Sequence, residues 1–129
     1  MTAAWCFANE ATPATTALLR SLRQRSAIVP ALWHAETGNL LLQGEKRGRI
    51  TEASCTAFVY TLAELPIETD RESVRRSHGA VLSLARHHGL TVYDATYLEL
   101  AVRLNLPLAT LDRKLVAVSR TIGVTLIEA

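Results

Sequence analysis

Short apolar runs alternate with stretches of helical period along this chain, and that alternation restricts its fold more than any other feature. Ala27-Ile28-Val29-Pro30 reads as a strand ended by its proline, and Leu65-Pro66-Ile67-Glu68 as an edge strand, where proline is tolerated. Pro107-Leu108-Ala109-Thr110-Leu111 and Val124-Thr125-Leu126-Ile127 read as two more strands. Between them the apolar residues recur at helical spacing. A short apolar helix is expected over residues 2–8, and Thr12-Pro13 restarts a helix reaching Ser26, with Thr as cap and Pro in the first position. Further helices are expected over residues 31–43, from Thr51 past Leu62, over 71–88 with Gly89 closing it, over 93–104 and over 113–119. Strands separated by helices imply right-handed crossovers, hence an α/β fold whose parallel sheet is covered by helices on both faces. Sites in such sheets lie outside the carboxyl ends of the strands.

At 129 residues the chain is the size of one domain, and no repeat or low-complexity tract divides it. Apolar residues make up 49 % and charged ones 20 %, a globular balance that argues against disorder. No apolar run approaches the roughly eighteen residues of a membrane span. Met1-Thr2-Ala3-Ala4-Trp5 has no basic stretch leading into an apolar one, so no secretory signal is expected. Cys6 and Cys55 make no disulfide framework, and the cytoplasm is the expected compartment. The net charge of +2 is too mild to announce a nucleic-acid partner. Twelve of the 14 basic residues are Arg, which suits phosphate, although genome composition produces the same bias.

Three carboxylates stand out. Glu36 lies one turn after Leu32 and one turn before Leu40, within an apolar stripe, where a lone charge needs a partner, a raised pKa or a metal. Asp94 stands at the entry to a helix and Asp112 where a strand gives way to a helix. Either Asp could be an N-cap, worth about 1 kcal/mol. Carboxylates converging at a sheet's carboxyl edge would instead bind Mg²⁺ or Mn²⁺, hard cations that take oxygen ligands. A cation held there can activate water and stabilise charge on a phosphate.

At these residues the sequence resembles a PIN-domain ribonuclease, most closely the VapC-type toxins of bacterial toxin–antitoxin pairs. The matching pieces are Val29-Pro30-Ala31-Leu32-Trp33 leading to Glu36 and Asn39, then Leu90-Thr91-Val92-Tyr93-Asp94-Ala95-Thr96-Tyr97-Leu98-Glu99-Leu100-Ala101, then Leu106-Pro107-Leu108-Ala109-Thr110-Leu111-Asp112-Arg113-Lys114-Leu115. The resemblance extends over essentially the whole chain. It implies a three-layer α/β/α fold with a small central parallel sheet, a Mg²⁺- or Mn²⁺-dependent endoribonuclease activity on RNA, a cognate antitoxin and a homodimer. Of the family's acidic quartet, Glu36, Asp94 and Asp112 fill the last three places, with Thr110 at the hydroxyl position beside the last Asp and Asn39 in support. The first Asp, and the central strand that carries it, have no counterpart; Met1 falls just after them, so a domain truncated at its N-terminus is expected. Three acids of four imply weakened metal affinity and rate. The competing reading is a non-catalytic relic that dimerises or sequesters an antitoxin. A phosphoacceptor receiver domain also uses acids at strand ends, but Lys46 and Lys114 sit in the wrong places for its lysine.

Lesser signals have plain structural readings. Lys46-Arg47-Gly48-Arg49 could grip RNA phosphates but fits a solvated turn after a helix. Arg71 and Arg75 share a helix face with Glu72 and serve solubility. Arg113 is the base placed to touch a scissile phosphate. His87-His88 suits a helix C-terminus, and His34 lies off the Glu36 side of its helix. The cysteine and histidine spacing argues against zinc. Trp5, Phe7 and Trp33 are expected in the core, and the helix over residues 12–26 resembles the part of these toxins that receives the antitoxin.

Overall fold

The computed structural model describes residues 13–127, so the expected helix over 2–8, with Trp5, Cys6 and Phe7, lies outside the described residues. The chain gathers into two compact units. One comprises the residues up to Ile28 with Leu32–Glu68, and the other Val29–Ala31 with the chain from Thr69 onward.

In the first unit, α1 (Pro13–Ser21) stops well short of Ser26. The Ser21 hydroxyl donates to the Leu18 carbonyl at 2.6 Å, and the Gln24 and Arg25 amides both turn back to the Ser21 carbonyl. A serine bonding the backbone in this way competes with helix propagation. Strand β1 (Ala27–Pro30) follows, and then α2 (Leu32–Lys46), which buries Thr37, Leu41 and Gly44. Helix α3 (Glu52–Glu64) starts at Thr51, whose hydroxyl accepts the Ser54 amide at 3.1 Å, and packs against α2. None of its own residues is buried.

Strand β2 is Ile67–Asp70, two residues later than the sequence suggests. It pairs with β1 in a two-stranded parallel sheet, entered through the Ala27 amide bonding the Pro66 carbonyl at 2.9 Å. Proline at 66 has no N–H to give a ladder, so it takes part through its carbonyl alone. The other two expected strands shrink to a single parallel bridge between Leu108 and Leu126, closed by Leu108 N–H to the Thr125 carbonyl and Ile127 N–H to the Leu108 carbonyl. The chain is therefore α/β, mostly helical, with little sheet.

In the second unit the expected helix over 71–88 is two helices, α4 (Glu72–Arg76) and α5 (Ala80–His88). Gly79, whose amide bonds the Arg76 carbonyl at 3.1 Å, stands in the turn that separates them. Gly89 then ends α5 at φ 64°, the left-handed cap expected from sequence. Helix α6 (Val92–Leu104) ends at Asn105, also left-handed, and α7 (Arg113–Ile122) at Gly123. Val81 and Ala85 of α5, Ala95, Leu98 and Ala101 of α6, and Leu115 of α7 form one core with Leu90 and Leu108.

Candidate functional site

The carboxylates separate by environment. Glu36 is exposed on α2 in the first unit, contrary to its expected place in the apolar stripe. The buried positions are Thr37, Leu41 and Gly44, so the inward face is turned one residue onward from the Leu32–Glu36–Leu40 line. Asn39 is exposed as well, and Trp33 is half-buried, its ring edge-on to exposed His34 at 5.0 Å.

Asp94 and Asp112 belong to the second unit, each at a helix start. Thr91, not Asp94, caps α6: its hydroxyl accepts the Asp94 amide at 3.1 Å. The half-buried Asp94 carboxylate lies in the first turn, and among the described residues it has no hydrogen bond or ion pair. Asp112 does cap α7, Oδ1 accepting the Leu115 amide at 2.8 Å, while its own amide donates to the Thr110 hydroxyl at 3.1 Å. A helix start is a favourable place for an anion, worth about 0.3–1 kcal/mol. Arg113 follows on the exposed side. Among the described residues, no three His, Cys, Asp or Glu side chains gather in a group that could hold a metal ion. Two carboxylates per cation, completed by water and phosphate, are nonetheless an ordinary provision for Mg²⁺. In its chemistry the oxygen donor set fits that ion.

A second acidic cluster was not legible as a site. Arg103 on α6 donates through Nη2 to Asp70 Oδ2 at 2.6 Å and through Nε to Glu99 Oε1 at 2.9 Å. Arg76 reaches Glu99 at 3.5 Å, and both the Ser73 amide and its hydroxyl donate to Asp70. Asp70 and Glu99 are buried. The Arg103 hydrogen bond, opposed by burial and helped by Ser73, holds the Asp70 carboxyl at about 2, and the two carboxylates raise the Arg103 pKa. This network ties the strand end at Asp70 and helix α4 to α6, the helix that mounts Asp94. Its one available signal was the Glu99–Arg103 spacing of four on a helix; Asp70 lies 33 residues from Arg103.

The basic runs take their plain readings. Lys46, Arg47 and Arg49 surround a helix-end turn in which Gly48 has φ 71° and the Arg49 amide bonds the Gly44 carbonyl. Arg75 pairs with Glu72 at 3.7 Å, both exposed. His87 and His88 stack edge to face in the last turn of α5. No helix among the described residues is long and apolar enough to cross a membrane.

No protein-family model matches the chain, and no curated protein matches it. Among solved structures it is similar to the crystal structure of PAE2754 from Pyrobaculum aerophilum, with 31 % sequence identity and a TM-score of 0.56. The match covers 70 % of this chain and spans 65 % of the length of the Pyrobaculum protein.

Proposed function

We propose that this chain is a Mg²⁺- or Mn²⁺-dependent endoribonuclease of PIN-like α/β/α architecture, the toxin of a toxin–antitoxin pair, acting as a homodimer that its antitoxin restrains. The observation that carries the reading is Asp94: Thr91 already performs the capping, so helix stability leaves that carboxylate without a task. Asp94 and Asp112 are the residues that would hold the cation. The bound ion would lower the pKa of a coordinated water and neutralise charge gathering on the scissile phosphate. Asp112 Oδ1 accepts the Leu115 amide, which would restrict the rotation of a carboxylate holding the cation. Thr110, whose oxygen accepts the Asp112 amide, keeps its hydroxyl proton to donate to a phosphate oxygen. Arg113 offers its guanidinium fork to the neighbouring phosphate. The test is cleavage of structured RNAs with and without Mg²⁺. The reading predicts cleavage that chelation abolishes and Asp94→Asn removes; a chain that cleaves no RNA at millimolar Mg²⁺ is the non-catalytic, antitoxin-binding relic instead.

A further inference from the structure

Lys114 is the second residue of α7, in the first turn after the Asp112 cap. A cation there faces the positive end of the helix dipole, an unfavourable position that its own helix does not explain. Its ammonium crosses instead to the carbonyl of Gly89, the left-handed residue that ends α5. A Cβ built on Gly89 would stand 3.6 Å from that nitrogen, so the lysine lies close over the turn. Two residues beyond Gly89 comes Thr91, the cap of α6, whose hydroxyl holds the Asp94 amide. The same junction is closed underneath by Leu90 and Leu115, both buried in one core.

We infer that Lys114 is a positioning residue. Its ammonium joins the start of α7, which carries Asp112, to the turn that opens α6, which carries Asp94, and so sets the separation of the two carboxylates. The inference rests on the metal site proposed above. The cation is satisfied by a carbonyl at a helix end, where positive charge is favourable, so it holds the two acidic helix starts together without occupying either carboxylate. Groups that orient metal ligands from outside the coordination sphere typically change affinity by about tenfold or more when removed.

The experiment compares the full chain with Lys114→Met and Lys114→Arg. Amide exchange at Leu115 and Asp94 is measured without metal, and Mg²⁺ affinity by calorimetry. Lys114→Met should speed exchange at both amides and weaken Mg²⁺ binding roughly tenfold, with its thermal midpoint near that of the unaltered chain. Lys114→Arg should restore both. Unchanged exchange in Lys114→Met overturns the tether, and faster exchange with unaltered Mg²⁺ affinity overturns its positioning role. If the unaltered chain binds no Mg²⁺, the metal reading fails, whereas the exchange rates and their rescue by arginine still decide the tether.

Discussion

Replacing Arg103 with Met should be the most damaging single change in the second unit. Arg103 touches Asp70 at 2.6 Å and Glu99 at 2.9 Å, and the exposures of these side chains are 9 % and 5 %. At an effective dielectric of about 20, each contact carries roughly 6 kcal/mol of attraction, most of which offsets the cost of removing the charges from water. Methionine takes the Arg103 guanidinium away from both carboxylates. Arg76 stays near Glu99, so Asp70 bears the larger loss. Breaking a buried pair in this way costs about 3–5 kcal/mol, and unfolding entropy scaled to this chain length converts that to a fall of roughly 10–20 °C in melting temperature. The pH dependence supplies a second signature. Asp70 is lowered from 3.8 to about 2, so its share of stability is fully present above pH 4 and lost as pH falls towards 2. That share is about 2 kcal/mol. Thermal unfolding followed by circular dichroism from pH 7 down to pH 2 should show the gap between the two proteins narrowing in acid as Asp70 protonates. A melting temperature within about 2 °C of the original at pH 7, or a gap that does not change with pH, would show that Arg103 does not hold the two carboxylates.

Other outcomes follow from single residues. Asp112→Ala should cost about 1 kcal/mol in urea unfolding through loss of the α7 cap, whereas Asp112→Asn should nearly preserve stability while weakening Mg²⁺ binding. Gly89→Ala places a Cβ at φ 64° and should cost about 1 kcal/mol by the same assay. Ser119 is fully buried with a hydroxyl that finds no partner among the described residues, so Ser119→Ala should stabilise the chain by about 1 kcal/mol. An unchanged or lowered unfolding midpoint in Ser119→Ala would show that the hydroxyl is satisfied.

What could be read from the sequence was local. Gly89, the Asp112 cap and the α6 helix follow from short-range chemistry, and the structure has them where the residues put them. The helical period on either side of Gly79 continues in phase, so the pattern predicts one helix where there are two, and the glycine inside it is the only local sign of a break. Leu32 and Leu40 suggest a stripe that includes Glu36, whereas Thr37 and Gly44 are buried with Leu41, and small or polar residues do not announce a core face. The Asp70–Arg103–Glu99 network was invisible because its decisive contact joins a strand end to a helix far along the chain. Asp94 was legible as a candidate, while its freedom from capping became clear only with the Thr91 hydroxyl in place.

Calorimetric titration of Mg²⁺ into the unaltered chain, Asp94→Asn and Asp112→Asn decides whether these two helix-start carboxylates hold a cation. One site should bind in the millimolar range or tighter in the unaltered chain and be lost in both variants, while their melting temperatures stay close to the original. No binding to the unaltered chain, or binding that survives both substitutions, would contradict that assignment.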